Sequence, residues 1–367
     1  MLQTLMVKLD PSQEQYQALL DTMHRFNQAC NDIAETIFEL HSANKFELHK
    51  VVYYPIREKY GLSSQLTVRA ISKVSEAYKR DKSIKPEFRP DGAIVYDQRI
   101  LSWKGLEKVS LVTLGGRQVI SVRMGDYQKA RMDRIRGQAD LILSNGLFYL
   151  GVVVEVAEES PYDPKGVLGV DLGIKYLAVD SDGEVHSGEQ VNQTRYRLDS
   201  LKARLQSKGT KSAKRHLKNL SGRMSRFSKD VNHRISKHIV TKAKDTLRSI
   251  ALEDLQGIRS RVTVRKAQRR SLHTWNFGLL RMFVEYKSKV AGVPLVFVDP
   301  RNTSRTCPSC GHVAKTNRPT RDEFRCESCG FAGPADHIAA MNIAFGAAVN
   351  QPIVAGKHLA SVTSSGL

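Results

Sequence analysis

The chain has 367 residues, of which 41% are hydrophobic and 26% charged, so it is long enough for two or three globular domains. Its 57 Lys and Arg residues against 37 Asp and Glu residues give a net charge of +20, which favours a phosphate-backbone partner over an anionic membrane surface. No apolar run approaches the roughly 18–20 residues of a membrane span, and cysteine usage excludes a disulfide framework and favours a reducing intracellular compartment.

The first part of the chain predicts strands that flank a helical segment. Met1–Lys8 reads as a strand, and Asp10-Pro11 predicts the start of a long helix, with Asp at the N-cap and Pro at the first helical position. A second helix is predicted from about Ser63-Ser64 to Arg80. Residues 93–157 predict short strands, with Asn145-Gly146 as a two-residue hairpin turn. The simplest architecture is a small β-barrel-like domain interrupted by a helical insertion.

The second part of the chain alternates strands with helices, which indicates an α/β domain with a mixed sheet. A three-strand meander is predicted from Val167 to His186, with one turn at Asp182-Gly183. Further buried strands are predicted over Ser249–Glu253 and Val293–Asp299. The helix before the last of these strands contains the following apolar and aromatic residues: Trp275, Phe277, Leu280, Phe283 and Tyr286.

A basic region lies between these strands. Residues 195–248 contain 17 Lys and Arg residues against three acids, and residues 259–270 add six more bases and no acid. An ordinary solvated helix face is the alternative, but leucines at helical spacing favour a helical hairpin with an apolar inner stripe and a basic outer face. The leucines are Leu198, Leu201, Leu205, Leu217 and Leu220. The candidate nucleic-acid contacts on this face are Lys211, Lys214, Arg215, Lys218, Arg223 and Arg226.

Four cysteines form two pairs near the end of the chain, Cys307-x-x-Cys310 and Cys326-x-x-Cys329, with fifteen residues between the pairs. This spacing is typical of a ribbon in which two turns each supply two thiolates to one tetrahedral Zn²⁺. A redox pair is the alternative, but two pairs at metal spacing favour zinc. Cys30, on the apolar side of the first helix, is interpreted as a core residue.

Three acidic residues stand in apolar surroundings: Asp171 and Glu253 in predicted strands, and Asp336 at the start of a helix. Each alone could be a cap, a solvated strand end or a charge favoured by the helix dipole, but three in one domain predict a shared site. Oxygen ligands of this kind suit two Mg²⁺ ions and phosphodiester hydrolysis. Four other acids of this domain compete with these three for the metal-binding role: Asp180, Asp182, Asp254 and Asp299. The histidines are interpreted as surface residues or phosphate contacts rather than ligands: His216, His233, His238 and His337.

The order of these motifs resembles a known family. Gly169-Val-Asp171-Leu-Gly-Ile, Leu252-Glu253-Asp-Leu, the segment from Asp299 into the four-cysteine ribbon, and Asp336 before Ala339-Ala340 are similar to the split RuvC nuclease of TnpB (OrfB). TnpB is a transposon-encoded RNA-guided DNA endonuclease related to compact type V CRISPR effectors. The resemblance covers roughly residues 165–345. Where the family often has Asp-Arg-Asp-x-Asn-Ala-Ala, this chain has Pro334-Ala-Asp336-His-Ile-Ala-Ala, which keeps the catalytic position and lacks the neighbouring Asp and Asn.

The resemblance implies a multidomain α/β and β-barrel fold. A wedge (OB-like) barrel is expected over 1–9 and 90–160, with a helical recognition insert over 10–89. A RuvC (RNase H-like) nuclease domain is expected over 161–302 and 334–350, with an inserted zinc ribbon that binds target nucleic acid over 303–333. Residues 351–367 are expected to be a flexible tail.

The resemblance also implies a function and partners. Asp171, Glu253 and Asp336 would be the catalytic acids and hold two Mg²⁺ ions, and the four cysteines would hold one structural Zn²⁺. The partners would be a guide RNA from the transposon end and double-stranded target DNA, in a monomeric ribonucleoprotein of the prokaryotic cytoplasm, associated with the nucleoid and not with a membrane. Tyr53, Gln65 and Arg69 are candidate contacts to a short motif next to the target. The alternatives are a nuclease-silent RNA-guided DNA-binding protein and a protein-only RNase H-like endonuclease.

Overall fold

A computed structural model describes residues 1–173, 175–254 and 277–350. The chain divides into two compact units, Met1–Ala157 and Glu158–Leu367, and each unit has its own hydrophobic core. The predictions for the bases at 259–270, for Trp275 and for the tail at 351–367 fall outside the described residues. No helix in the described part of the chain is long and apolar enough to cross a membrane.

The first unit is a seven-stranded antiparallel sheet with three long helices. Its strand order is β2-β6-β7-β1-β5-β4-β3, with β1 in the centre between β7 and β5. The strands are β1 (Leu2–Asp10), β2 (Ile94–Tyr96), β3 (Leu101–Lys104), β4 (Lys108–Thr113), β5 (Gly116–Arg123), β6 (Ile135–Ser144) and β7 (Leu147–Glu155). The helices are α1 (Gln13–Leu40), α2 (Lys45–Tyr60), α3 (Ser64–Arg80) and the short α4 (Asp126–Lys129), followed by a 3₁₀ turn at Met132–Arg134.

The sheet of the first unit curves into a nearly closed barrel. Tyr96, on the edge strand β2, donates its hydroxyl to the carbonyl of Val112 on β4 at 2.8 Å, so the two ends of the sheet approach each other. The expected barrel-like sheet with helices inserted after β1 is therefore present. The Asn145-Gly146 turn is also confirmed, because both residues have positive φ, 51° and 76°, as a type I′ hairpin between β6 and β7 requires.

The predicted start of α1 is wrong by two residues. The N-cap is Ser12, whose hydroxyl accepts from the Gln15 amide at 3.2 Å while the Gln15 side chain accepts from the Ser12 amide at 3.1 Å. Asp10 instead ends β1, where its carboxylate pairs with Arg123 at 2.6 Å. Because Ser12 forms the capping box and Asp10 is paired across the sheet, the helix begins later than the Asp10-Pro11 sequence predicts.

A helix that the sequence analysis did not predict, α2, precedes α3. It contains Pro55, which removes one backbone hydrogen bond and obscures the helical pattern. Asn44 caps its first turn, and Leu48, Val52 and Ile56, four residues apart, bury one face. The next helix, α3, runs from Ser64 to Arg80 as expected.

The second unit contains a five-stranded mixed sheet in the order β10-β9-β8-β11-β12. β8, β11 and β12 are parallel neighbours, and β9 and β10 complete the predicted meander in antiparallel pairing. The strands are β8 (Val167–Asp171), β9 (Tyr176–Asp180), β10 (Val185–Ser187), β11 (Ser249–Glu253) and β12 (Leu295–Val298), with a separate hairpin of β13 (Glu323–Arg325) and β14 (Ala332–Pro334). The helices are α5 (Glu189–Lys208), α6 (Lys211–Leu220), α7 (Arg223–Asp245), α8 (Phe277–Ala291) and α9 (Ala335–Asn350), with a 3₁₀ turn at Lys315–Asn317.

The basic region forms three helices, and the predicted helical hairpin corresponds to the first two, α5 and α6, which pack on each other. Gly209 ends α5 in the left-handed conformation, with φ 63°, and Thr210 caps α6. Gly222, with φ 75°, separates α6 from α7. Two glycines with positive φ thus form the turns that separate the three helices. Of the stripe, Leu198 and Leu220 are buried.

Helix α9 packs very closely on β8. A Cβ added to Gly169 would lie 2.1 Å from the carbonyl oxygen of Ala340 and 2.5 Å from the amide nitrogen of Ala344. Only glycine therefore allows this approach of helix to strand. The small-residue face of α9 that the sequence predicts, including Ala339, Ala340 and Ile343, is buried.

Gly169→Ala should destabilise the second unit, because the new methyl group meets backbone atoms that cannot move alone. We expect a loss of about 3 kcal/mol or more in the free energy of unfolding, measured by chemical denaturation. The matched control is Gly166→Ala, where the added Cβ would meet only Arg248 side-chain carbons at 3.7 and 3.8 Å. Equal stabilities of the two variants would contradict the close packing.

Candidate metal centres and basic surface

Two of the three predicted acids end neighbouring parallel strands. Asp171 is the last residue of β8 and Glu253 the last of β11, and the pairing register places Leu252 opposite Val170. Because parallel strands end at the same edge of a sheet, the two carboxylates lie at the same edge. Asp336 is the second residue of α9, the helix that packs on β8. The structure therefore brings all three acids to one edge of the sheet.

The three carboxylates interact electrostatically. Burial, together with the negative charges of Glu253 and Asp336, raises the pKa of Asp171 to about 7 against the opposing effect of Arg318. Burial also raises the pKa of Glu253, against a stabilising hydrogen bond from Thr303. These shifts indicate a buried group of acids with too little positive charge around it.

Two side chains that the sequence analysis missed contact the acids. Arg318 Nη2 lies 3.1 Å from Asp336 Oδ1, and the Thr303 hydroxyl donates to Glu253 Oε1 at 2.5 Å. Both residues belong to the segment between β12 and α9. No local pattern marks them, since their roles depend on contacts across 18 and 50 residues of sequence.

The donor set suits hard divalent cations, because Mg²⁺ prefers carboxylate oxygens and keeps waters in its remaining positions. Among the described residues, two groups of His, Cys, Asp or Glu have ligand atoms that all lie within 4.8 Å of one another, and these three acids are not one of them. Arg318 and Thr303 instead hold Asp336 and Glu253 at their present positions. The three carboxylates therefore suit magnesium, because their oxygens are ligands that it prefers and because few positive charges surround them.

The competing acids have cationic partners. Asp254 pairs with Arg281 at 2.7 Å, and Asp299 follows β12 and pairs with Arg301. Asp180 and Asp182 both contact Lys242, and Asp182 also pairs with Arg248 at 2.7 Å. These ion pairs explain the competing acids as structural groups. The Arg248 guanidinium holds the pKa of Asp182 well below its usual range, although burial opposes the shift.

The four cysteines form the other centre. Their sulfur atoms all lie within 4.8 Å of one another, with Cys307 to Cys329 and Cys310 to Cys326 each at 3.6 Å. A disulfide would need about 2.05 Å, whereas a tetrahedral ion with bonds of about 2.3 Å places its sulfur ligands about 3.8 Å apart. The cluster fits one Zn²⁺ ion.

Two equivalent turns present the thiolates. In each, the carbonyl of the first cysteine accepts a hydrogen bond from the amide of the glycine four residues later, at 2.9 Å for Cys307 and Gly311 and 3.0 Å for Cys326 and Gly330. Both glycines have positive φ, 74° and 76°. The fully buried Asn317 joins the turns, since its side chain donates to the His312 carbonyl and accepts from the Glu327 amide, each at 3.1 Å.

The segment between β12 and α9, which carries the cysteines and is called the ribbon segment, is also attached to the elements near the acids. The Asn342 amide, on α9, donates to the carbonyls of Thr303 at 2.7 Å and of Thr306 at 2.8 Å. Lys175, just before β9, pairs with Asp322 at 2.7 Å. The ribbon segment is thus fixed to the sheet edge where the acids lie.

The six predicted nucleic-acid contacts of the basic helices lie on α6 and the first turn of α7 and are all solvent-exposed. They are Lys211, Lys214, Arg215, Lys218, Arg223 and Arg226. Exposure of this charge next to the buried Ala213 and Leu220 makes α6 an amphipathic helix with a basic outer face. Such a surface can bind phosphates.

The three predicted contacts of the first unit have partners within it. Gln65 and Arg69 both bind Asp97, with the Arg69 guanidinium 2.5 Å away. Tyr53 stacks on His49 with ring centroids 4.4 Å apart. Their role in reading a DNA motif stays a prediction, and the two α3 donors would have to exchange Asp97 for a base.

Two family models match the chain between residues 151 and 343. One, described as a probable transposase (OrfB_IS605), matches residues 151–257. The other, the Cas12f1-like TNB domain, matches residues 277–343. The chain is similar to the TnpB-like and Cas12f proteins over these residues. The resemblance stated from the motifs is therefore confirmed.

Individual relatives agree with the models. TnpB-like protein MJ0751 of Methanocaldococcus jannaschii is 28% identical over 65% of this chain and 90% of its own length. CRISPR-associated endodeoxyribonuclease Cas12f1 of Sulfoacidibacillus thermotolerans is 28% identical over 64% of this chain and 58% of its own length. The putative RNA-guided DNA endonuclease InsQ of Escherichia coli is 27% identical over 76% of this chain and 73% of its own length. The chain thus spans little more than half of the first Cas12f1 relative.

Solved structures show the same fold. A Cas12f1–sgRNA–target DNA complex matches with a TM-score of 0.60 at 16% identity, covering 91% of this chain and 83% of that one. The mini-RNA-guided endonuclease CRISPR-Cas_phi3 matches with a TM-score of 0.58 at 10% identity, covering 96% and 93%. At these identities the likeness concerns the fold alone.

Cys307→Ser should remove the metal from the four-cysteine cluster. Serine cannot supply the thiolate that completes a tetrahedral site, so the zinc content of this cluster should fall from one ion per chain to near zero by elemental analysis. The control is Cys30→Ala, which alters a buried cysteine of the first unit and should leave the zinc content unchanged. Full zinc retention by Cys307→Ser would contradict the assignment.

Proposed function

We propose that this chain is an RNA-guided DNA endonuclease of a transposable element, which cuts double-stranded target DNA next to a short adjacent motif by two-metal phosphodiester hydrolysis. The observation that carries the proposal is the meeting of Asp171, Glu253 and Asp336 at one edge of the sheet, with a raised pKa at Asp171. The names of the Cas12f1 and InsQ relatives, an endodeoxyribonuclease and a putative RNA-guided DNA endonuclease, support the same activity.

In this proposal the three acids would hold two Mg²⁺ ions, whose chemistry would be to activate a water and to stabilise the charge on the leaving 3′ oxygen. Asp171 and Glu253 present their oxygens from strand ends, and α9 presents Asp336 from its first turn. Thr303 would orient Glu253, and Arg318 would neutralise part of the charge at Asp336. These two contacts hold the carboxylates in place.

The proposal gives each region a role. Residues 1–9 and 90–160 would be the wedge barrel, and residues 10–89 the recognition insert. The nuclease domain, RuvC-type and RNase H-like, would comprise 161–302 and 334–350, with the zinc ribbon at 303–333 on target nucleic acid. A guide RNA derived from the transposon end would select the target by base pairing, in a monomeric ribonucleoprotein of the prokaryotic cytoplasm and nucleoid.

Glu253→Gln should abolish cleavage and leave target binding intact, because it removes a metal-binding charge with almost no change in shape. We expect the cleavage rate of the guide-loaded protein on matched DNA with Mg²⁺ to fall by about 10²-fold or more. Asp171→Asn should behave in the same way. Cleavage by the gel assay and binding by mobility shift are measured on the same preparations.

The matched control is Asp254→Asn, the next residue, whose carboxylate pairs with Arg281 rather than with the acid group. It should cleave at a rate within a few-fold of the unchanged protein. Intact DNA with full target binding by the unchanged protein would instead support the nuclease-silent alternative. Cleavage without any co-purified RNA would support the protein-only endonuclease.

The basic face of α6 should contribute to nucleic-acid affinity through counterion release. Changing Lys214, Arg215 and Lys218 to Gln should lower the magnitude of the slope of log K against log salt concentration by about 2–3 for RNA binding. Lys244→Gln is the control, because Lys244 is paired with Glu159 at 2.7 Å. An unchanged slope in the triple variant would remove α6 from the binding surface.

A further inference from the structure

A second group of metal-type ligands lies in the second unit, apart from the four cysteines and the three acids. Glu184, directly before β10, and His186, within it, are two residues apart and so point to the same side of this strand. His238 comes from α7. One ligand atom from each residue lies within 4.8 Å of the others.

The contacts within this group match what an ion would need. His238 Nε2 lies 2.7 Å from Glu184 Oε1, and the rings of His186 and His238 meet edge to face with centroids 5.2 Å apart. Tetrahedral zinc bonds of about 2.1 Å place neighbouring N and O ligands about 3.4 Å apart. An ion would therefore need only a small opening of the His238–Glu184 contact.

The surroundings of Glu184 hold its carboxylate in place. Its second oxygen accepts from Lys242 Nζ at 3.0 Å, and its backbone amide donates to Asp180 at 2.9 Å. A carboxylate fixed by such outer contacts makes a well-oriented ligand. Lys242 and Arg248 face Asp180, Asp182 and Glu184, so the ion-pair cluster has more acids than bases.

An open pocket adjoins the two imidazoles. Its volume is about 420 Å³, and the residues that line it include His186, His238, Ser187, Gln190 and Arg234. A plain ion pair between His238 and Glu184 requires no such space. The pocket gives water, or a small anionic ligand, access to a fourth coordination position.

We propose that Glu184, His186 and His238 form a second metal site, which binds one borderline transition-metal ion such as Zn²⁺. Two imidazoles and one carboxylate with an open position are typical ligands for zinc and similar ions. The ion links β10, at the edge of the sheet, to the basic helix α7. The sequence predicts His238 as a surface residue or phosphate contact, and only the fold places it beside Glu184 and His186.

The site also neighbours the acid group through one turn. His337, the residue after Asp336, contacts the turn between β9 and β10, with its Nε2 3.1 Å from the Ser181 carbonyl. Gly183 in this turn lies against the His337 ring, and Glu184 follows directly. An ion at Glu184 stabilises the turn on which His337 packs.

The test is a zinc titration of the full-length protein that already holds one zinc ion in the cysteine cluster. The added probe is Zn²⁺ alone, in competition with a chromophoric zinc indicator. We expect the unchanged protein to take up one further equivalent, and Glu184→Gln and His238→Asn to take up none. The matched control is His216→Asn, an exposed histidine on α6, which should bind like the unchanged protein.

A second measurement does not depend on activity. Added Zn²⁺ should raise the melting temperature of the unchanged protein and of His216→Asn, because the ion binds only the folded state, and should not raise that of His238→Asn. A cooperative melting transition without added Zn²⁺ shows that each variant is folded. The proposal is overturned if the unchanged protein binds no further equivalent of Zn²⁺. It is also overturned if Glu184→Gln and His238→Asn both retain that equivalent. Either result would leave the His238–Glu184 contact as an ion pair only.

Discussion

The contact between α9 and β8 is the constraint on which the acid site depends. Gly169 has no side chain, so the backbone of α9 at Ala340 and Ala344 lies directly against the strand. This approach sets the position of Asp336, about one helical turn before Ala340, relative to Asp171 at the end of β8. Any larger residue at 169 would move the helix and separate the third carboxylate from the first two.

The ribbon segment and the acid site are one physical assembly within the second unit. Thr303 and Arg318 lie on either side of the first cysteine pair and contact Glu253 and Asp336. Asn342 holds the start of the same segment against α9. The segment that carries the four cysteines therefore has a structural role at the acid site, because it holds two groups that touch the proposed catalytic carboxylates.

The charges of the second unit are divided between two kinds of environment. The competing acids, such as Asp182 and Asp254, are neutralised by nearby bases and stabilise the fold. Asp171 is buried among other acids, so its charge is costly without a cation. The bases of α6 face solvent, where they suit a polyanion. This division separates the groups that hold the fold together from those proposed to act on nucleic acid.

Local patterns in the sequence determined much of the fold. The Cys-x-x-Cys pairs, the Asn145-Gly146 turn, the strand ending at Glu253 and the helix from Ser64 to Arg80 each depend on residues within a few positions of one another. Such features are set by backbone conformation and hydrophobic period, so the sequence predicted them correctly. The three acids could be named for the same reason, as charges inside apolar segments.

Only the tertiary structure decided the features that depend on distant residues. Ser12 rather than Asp10 caps α1 because Asp10 is taken by Arg123 across the sheet. Arg318 meets Asp336, and His238 meets Glu184, through packing that no local pattern records. The sequence by itself determined which residue types and turns are present. Long-range packing decided which of them meet, because each such contact requires strands and helices to be assembled first.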